Sequence, residues 1–210
     1  MGGRSAPARL GKRVASGAMR LTYPHSLRLV RARWELPHLL NRRGLLGTGV
    51  EVGVAAGEFS ELILRSWRGR LLISVDSWPW EPGDHEHRDA VERLFAEATE
   101  RLGAYGERSE IWRSDSAEAA ERVPPRSLDF VYIDAQHDYD SVRRDIEAWF
   151  PRVRPGGILS GHDYWDGLHP SDGQYGVKTA VDEFCAARGL RVRSTWLETF
   201  MARTWLVQVR

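Results

Sequence analysis

The chain has 210 residues, of which 42 % are hydrophobic, and this is enough for a single domain with a substantial core. Cys185 is the only cysteine, which excludes an intramolecular disulfide and a metal site built from several cysteines. No apolar run reaches the roughly 20 residues of a membrane-spanning helix, and the N-terminus lacks the apolar core of a secretion signal, so we expect a cytoplasmic protein.

The net charge of +1 conceals an uneven distribution along the chain. Residues 1–43 carry ten Lys and Arg but one acidic residue, Glu35, whereas residues 44–210 are acidic overall. Such a basic segment can contact nucleic acid, an acidic membrane surface or an acidic patch on a second subunit. Because its basic residues are not interleaved with aromatic ones, we do not expect nucleic acid as a partner. We interpret residues 1–43 as a basic tail and helix, residues 44–210 as the main domain, and the protein as a homodimer.

Hydrophobic patterning predicts an alternation of strands and helices after a first helix at residues 26–41. Strands are predicted at residues 49–54, 71–75, 109–112, 128–133 and 157–160. Helices are predicted at residues 59–66, 89–102, 116–122, 141–150 and 177–187. Two last strands, at residues 192–195 and 204–209, are expected to form an antiparallel hairpin. This order is typical of a three-layer α/β sandwich of the Rossmann-like kind, with a mostly parallel seven-stranded sheet and ligands beyond the carboxyl ends of its strands.

A turn of small residues follows the first predicted strand, with the sequence Glu51-Val-Gly53-Val-Ala55-Ala-Gly57. Small side chains let a ligand approach the backbone where the next helix begins. Asp76 ends the second strand, where a carboxylate can accept both hydroxyls of a ribose. Asp115 and Ser116 follow the third strand, where they can contact an adenine amino group. A nicotinamide-binding domain has similar features, but it requires a Gly-x-Gly-x-x-Gly register that these offsets do not provide.

Polar residues are dense after the fourth and fifth predicted strands. Asp134 and His137 follow one strand, and His162 and Asp163 follow the other, so we expect the four side chains to converge. Two carboxylates and an imidazole are suited to a divalent metal, and a free histidine is suited to removing a hydroxyl proton. The alternatives are a helix cap for Asp134, an exposed loop position for His137, and turn hydrogen bonds for the pair His162 and Asp163.

Together these motifs resemble the class I methyltransferases that use S-adenosylmethionine (SAM). The resemblance implies that Glu51, the backbone from Gly53 through Ala55 to Gly57, and Ser60 hold the methionine end of SAM. It likewise implies that Asp76 binds the ribose and that Asp115 and Ser116 bind the adenine.

The second half resembles the metal-dependent O-methyltransferases, especially the small bacterial sugar O-methyltransferases. That resemblance implies a magnesium ion held by Asp134, His162 and Asp163, with His137 as the catalytic base. His162 departs from the family pattern, because an oxygen ligand is usual there and imidazole suits manganese, cobalt or zinc better than magnesium.

The resemblance also implies an acceptor, namely a hydroxyl of a sugar or oligosaccharide such as the 1-hydroxyl of a methylated mannoside. Trp78 and Trp80, in a proline-containing segment, are predicted to stack on a sugar face or to cover the cofactor, and Tyr139 and Tyr164 are predicted to line the acceptor pocket. Residues 165–175 are predicted to form a loop long enough to act as a lid. A catechol-like phenol as acceptor, and a non-catalytic binding protein with the same fold, remain as alternatives.

Overall fold

The computed structural model describes residues 30–79, 84–170, 173–199 and 201–210. The strands are β1 (Thr48–Val52), β2 (Leu71–Asp76), β3 (Ser109–Arg113), β4 (Leu128–Ile133), β5 (Val153–Gly161), β6 (Asp166–His169), β7 (Gly173–Gly176), β8 (Val192–Ser194) and β9 (Trp205–Gln208). The helices are α1 (Leu36–Arg42), α2 (Glu58–Ser66), α3 (His85–Gly103), α4 (Ser116–Glu121), α5 (Tyr139–Trp149) and α6 (Val177–Ala186). The predicted alternation of strands and helices is confirmed.

Seven strands form the main sheet in the order β3-β2-β1-β4-β5-β9-β8. Strands β1 to β5 pair in parallel, whereas β9 runs antiparallel to both β5 and β8, so the predicted C-terminal hairpin is confirmed. Every residue of β4 is buried, as expected for a central strand that helices cover on both faces. The strand order reverses between β1 and β4, and a crevice opens beyond the carboxyl ends of strands at such a point.

Helices cover both faces of the sheet and complete the three predicted layers. One face carries α4, α5 and α6, which bury Ile146, Trp149 and Val181 against the sheet. The other face carries α1, α2 and α3, where Leu39 and Trp67 are buried. Residues 30–42 therefore contribute to the core of the main domain, because the side chains that α1 buries pack in the same cluster as those of α2.

Three predicted elements differ from the structure. The N-terminal helix begins at Leu36, with Pro37 in its first turn, so Trp34 precedes it and is 50 % exposed; residues 26–29 lie outside the described residues. Helix α3 begins four residues earlier than predicted, because the Asp84 side chain accepts a hydrogen bond from the backbone N–H of His87 at 2.9 Å.

The third difference concerns residues 165–175, which were predicted to be a loop. Strands β6 and β7 pair there as an antiparallel ribbon, with Asp166 opposite Gly176 and His169 opposite Gly173. In the part of the chain that the structure describes, no helix is long and apolar enough to cross a membrane.

Candidate active site

A crevice of about 410 Å³ lies beyond the carboxyl ends of β1, β2 and β4. This volume is within the range of about 300–1,000 Å³ that is usual for small-molecule sites. Most of the predicted cofactor residues line it, together with several that were not predicted. The lining includes Arg33, Glu51, Gly53, Ala55, Glu58, Phe59, Asp76, Ser114, Asp115, Ser116, Asp134, Gln136, Arg144 and Asp145.

The turn between β1 and α2 brings its backbone close to the end of β4. Gly53 has φ +86°, and a Cβ there would lie 1.9 Å from the carbonyl oxygen of Asp134, so this position requires glycine. Ala55 also has a positive φ, +48°, which is unfavourable for a residue with a side chain. The turn therefore depends on contacts from outside to hold its conformation.

Asp76 supplies those contacts. Its Oδ2 accepts hydrogen bonds from the backbone N–H groups of Val54 at 2.8 Å and Ala55 at 3.0 Å, and its Oδ1 accepts one from Trp78 at 2.7 Å. A carboxylate has about four lone-pair positions, so these three bonds leave capacity for a further donor in the crevice. Asp76 thus stabilises the turn and is also placed to bind a hydroxyl.

Glu51 lies in β1 at the bottom of the crevice and is 1 % exposed. The hydroxyl of Ser60 donates a hydrogen bond to it, and Ser60 in turn lies 2.8 Å from the hydroxyl of Ser74. Burial raises the pKa of Glu51 to about 8, since Ser60 offsets the loss of solvent only in part. Near neutral pH the carboxyl group therefore holds a proton until a cation approaches it.

Asp115 and Ser116 lie at the opposite end of the crevice, where α4 begins. Asp115 caps this helix, because its Oδ1 accepts a hydrogen bond from the backbone N–H of Ala117 at 2.8 Å. The hydroxyl of Ser116 accepts a hydrogen bond from the indole of Trp149 at 3.0 Å. Both residues line the crevice, as predicted for residues that contact the adenine.

Asp145 of α5 is a crevice residue that was not among the predicted site residues. It is 2 % exposed and lines the crevice, and its Oδ1 has no hydrogen-bond partner among the residues that the structure describes. The sequence does indicate that Asp145 is buried, because it falls on the apolar stripe that Val142, Ile146 and Trp149 form on α5.

The structure brings together the four polar residues that follow β4 and β5. His137 Nε2 lies 3.0 Å from Asp163 Oδ2 and 3.8 Å from Asp134 Oδ1. His162 Nδ1 lies 3.2 Å from Asp163 Oδ1 and 3.8 Å from Asp134 Oδ1. The ligand atoms of Asp134, His162 and Asp163 all lie within 4.8 Å of one another. This donor set fits a divalent cation, and its imidazole favours manganese or cobalt over magnesium.

The backbone holds these residues at the ends of the strands. The N–H of Asp134 donates to the carbonyl of Val52 at 2.7 Å, and the N–H of His162 donates to the carbonyl of Ile133 at 3.0 Å. His137 is further held by ring stacking on Tyr175 of β7, with ring centroids 4.4 Å apart. The ribbon of β6 and β7 therefore packs against the candidate catalytic base.

Opposite charges dominate the electrostatics of this cluster. Burial alone lowers the pKa of His137, but the carboxylates of Asp134 and Asp163 outweigh it and raise the pKa to about 9. Burial tends to raise the pKa of Asp163, but His137 and His162 hold that pKa well below its usual range. Asp163 is thus ionised and paired with the two histidines.

Sequence reasoning missed Arg33 and Glu198. Arg33 NH1 lies 3.5 Å from Asp134 Oδ2, and its backbone N–H donates to Glu198 Oε1 at 3.0 Å. Glu198 Oε1 is also 3.9 Å from His162 Nε2. The basic character of residues 1–43 was the available signal for Arg33. Its position depends on contacts with residues more than 100 positions later, which no local pattern reveals.

Of the predicted acceptor residues that the structure describes, none lines the crevice. Trp78 is 2 % exposed; its ring packs on Phe95, and its indole N–H donates to the carbonyl of Ala55 at 3.0 Å, so it supports the turn rather than offering a stacking surface. The hydroxyls of Tyr139 and Tyr164 donate to Glu183 and Asp182 of α6, respectively, and neither tyrosine lines the crevice. Trp80 lies outside the described residues.

Comparisons with known proteins agree with this fold. TomG from Streptomyces achromogenes, an O-methyltransferase involved in tomaymycin synthesis and solved in complex with SAM, is 20 % identical; the match covers 85 % of this chain and 80 % of TomG with a TM-score of 0.58. An O-methyltransferase from Bacillus cereus, solved with S-adenosylhomocysteine (SAH), is 17 % identical over 84 % of this chain and 80 % of its own, with a TM-score of 0.54. At these identities the likeness concerns the fold.

Sequence comparison gives the family. The uncharacterized protein y4gI of Sinorhizobium fredii is 24 % identical over 128 residues, which is 61 % of this chain but 14 % of that protein's length. A family model described as "Methyltransferase domain" matches residues 50–164, more than half of the chain, from β1 to the end of the His162–Asp163 segment. The predicted methyltransferase family is therefore confirmed, and the chain belongs to this methyltransferase-domain family.

Proposed function

We propose that this protein is an O-methyltransferase that moves a methyl group from SAM to a hydroxyl of a sugar or oligosaccharide, with a divalent cation held by Asp134, His162 and Asp163. The observation that carries the proposal is the convergence of these three side chains and His137 beside the crevice. A scaffold protein has no need of a base, a metal-ligand set and a cofactor crevice at one edge of its sheet.

The crevice offers a complementary group for each part of SAM. Gly53 and Ala55 line it in the turn before α2, whereas Gly57 faces Ala98 and Leu102 of α3. Glu51 offers a carboxyl group to the methionine ammonium. Asp76 retains hydrogen-bonding capacity for the ribose hydroxyls. Asp115 and Ser116 line the part of the crevice that would hold the adenine. These contacts would direct the sulfonium methyl group toward Asp134 and His137.

His137 is the base of the proposed reaction. An aliphatic hydroxyl is a weak nucleophile, and it must lose its proton as its oxygen attacks the methyl carbon. His137 Nε2 faces the same carboxylates that would hold the cation, so it is within reach of a hydroxyl bound there. Those carboxylates also keep the proton on His137, and a cation on Asp134 and Asp163 is needed to balance their charge and leave His137 neutral.

The cation would supply positive charge that stabilises the developing alkoxide and fixes the direction of attack. Asp134 presents Oδ1 to the cluster, and its backbone bond to Val52 holds the carboxylate in place. His162 presents Nδ1, while its Nε2 faces Glu198, an arrangement in which a carboxylate orients a metal-binding histidine.

The proposed sugar acceptor rests on the resemblance of the Asp134–His137 and His162–Asp163 motifs to sugar O-methyltransferases. Two exposed tryptophans take over the role first assigned to Trp78. Trp34 follows Arg33 directly and is 50 % exposed, and Trp196, whose backbone N–H donates to the carbonyl of Arg31, is 52 % exposed. Exposed indoles offer flat apolar faces on which a sugar ring can stack. A catechol-like phenol is the alternative acceptor.

The test combines SAM titration calorimetry with transfer of a labelled methyl group to a panel of sugars and catechols. We expect SAM binding, transfer to a sugar, loss of transfer with EDTA, and recovery with Mg²⁺, Mn²⁺ or Co²⁺ added singly. The variant Asp134→Asn should lose Mn²⁺ binding, measured by electron paramagnetic resonance, together with transfer.

Asp140→Asn is the matched control, because Asp140 is an exposed carboxylate six residues away on α5 and outside the crevice. The absence of SAM binding would refute the methyltransferase. Transfer that is indifferent to EDTA would refute the metal site, and transfer to catechols alone would replace the sugar. Sedimentation of the same preparation tests the expected homodimer.

A further inference from the structure

We propose that Arg33 binds the carboxylate of the methionine part of SAM, opposite Glu51, and so positions the methyl donor. The inference rests on the proposed function, since it assigns a new residue to the SAM site. Arg33 lies outside residues 50–164, the region that the family model covers, so the family match does not place it in the site.

The chain around Arg33 is fixed at several points. Val30, Ala32 and Leu36 are buried in the core. The carbonyl of Arg31 accepts hydrogen bonds from the backbone N–H groups of Trp196 at 3.1 Å and Leu197 at 2.9 Å. The backbone N–H of Arg33 itself donates to Glu198 at 3.0 Å. Residues 30–36 therefore form a strap, tied to the segment between β8 and β9, that carries the Arg33 side chain to the crevice.

The guanidinium group of Arg33 is oriented by three neighbours, namely Phe59, Asp134 and the hydroxyl of Tyr132. It lies over the ring of Phe59, 5.1 Å from the centroid, and its NH1 is 3.5 Å from Asp134 Oδ2. Arginine has five N–H donors in one plane, which match the two oxygens of a carboxylate. The contacts with Asp134 and Tyr132 engage part of this group, and because Arg33 lines the crevice its remaining donors can reach a ligand there.

Charge complementarity selects the part of SAM that Arg33 contacts. Among the described residues that line the crevice, the basic side chains are Arg33 and Arg144. Arg144 adjoins Asp145 on α5, at the end of the crevice where Ser116 lies, so Arg33 is the cation near Glu51 and Phe59. An amino acid group carries both an ammonium and a carboxylate, and Glu51 and Arg33 supply one partner for each.

Arg33 and the proposed metal site use different atoms of Asp134. Oδ2 faces Arg33, whereas Oδ1 faces His137 and His162. Arg33 can therefore contact SAM while Asp134 Oδ1 stays available to a cation bound with His162 and Asp163. This shared carboxylate connects the position of the methyl donor to the site where the hydroxyl is activated.

The experiment compares two ligands that differ in one group. SAH has the carboxylate, whereas decarboxylated SAH keeps the adenosine, the thioether and the amine. We expect Arg33→Gln to weaken SAH binding about ten- to a hundredfold, because hydrogen bonds to charged groups are lost, and to leave the affinity for decarboxylated SAH nearly unchanged. Isothermal titration calorimetry on the full chain measures both dissociation constants.

Arg68→Gln is the matched control, since Arg68 is exposed and lies outside the crevice. Equal weakening of both ligands by Arg33→Gln, or no weakening of either, would overturn the inference. If wild-type protein bound neither ligand, the proposed function itself would fail. Should Arg33→Gln prove unfolded by circular dichroism, Arg33→Lys serves instead, and it must lower SAH affinity more than that of decarboxylated SAH.

Discussion

Glu51 and Asp163 are acidic side chains at two ends of one site, and their surroundings shift their pKa values in opposite directions. Glu51 has hydroxyl groups and apolar atoms around it, so burial raises its pKa to about 8. Asp163 is also largely buried, but His137 and His162 lie about 3 Å away and hold its pKa below the usual range.

The difference separates two ways of preparing a site for a ligand. The Glu51 end stays neutral and acquires its charge when a cationic group arrives. The Asp163 end is charged before any ligand binds, and its ions are already in position. Charges that are already oriented can stabilise a transition state and so lower the activation barrier. A neutral carboxyl group that becomes charged only on binding is suited to holding a ligand reversibly.

The largest effect is expected from a substitution at the charged end of the site, near Asp163. His137→Ala removes the proposed base and one of the two histidines that face Asp163, so turnover should fall by about 10²–10⁴-fold. SAH affinity should persist, because His137 does not line the crevice that holds the Glu51 end. Methyl-transfer rates at saturating SAM, together with SAH titration, measure the two quantities.

His87→Ala is the control for this experiment, since His87 is exposed on α3. Unchanged turnover in His137→Ala would remove the residue from the mechanism. Loss of SAH binding would show that the two ends are not separable.

A smaller effect tests the neutral end through pH. Below the ordinary pKa of 4.5, Glu51 is protonated in both the folded and the unfolded protein. Between that value and about 8, the unfolded chain releases the proton while the folded protein keeps it, so the free energy of unfolding falls as pH rises. Glu51→Gln has no proton to lose, and its stability should exceed that of wild type by a margin that grows to about 4 kcal/mol at pH 8.

Guanidinium denaturation of both proteins from pH 5 to pH 8 measures this margin. Glu97→Gln, on the exposed side of α3, should show no such trend. A margin independent of pH would mean that Glu51 is already ionised in the folded protein.

The residues that the sequence could predict follow strands directly. Asp134 and Asp163 lie one or two positions after the apolar strands β4 and β5, and parallel strands bring such residues together whatever the rest of the chain does. Arg33 and Glu198 were missed because their position depends on pairing between the two ends of the described chain. Trp78 was misplaced because an aromatic residue after a strand can turn toward the core as readily as toward the ligand.

The smallest effect is expected from a substitution of Trp78, which supports the turn at the Glu51 end of the site. Trp78→Phe keeps an aromatic ring against Phe95 but removes the indole N–H that donates to the carbonyl of Ala55. Loss of this hydrogen bond should lower the free energy of unfolding by about 1 kcal/mol. Because Ala55 has a positive φ, the turn should also relax, and SAH affinity should fall while Mn²⁺ affinity stays unchanged. Trp112→Phe, whose indole N–H meets Glu110 on β3, is the matched control. Equal losses of SAH and Mn²⁺ affinity in Trp78→Phe would show that the two ends of the site respond as one unit.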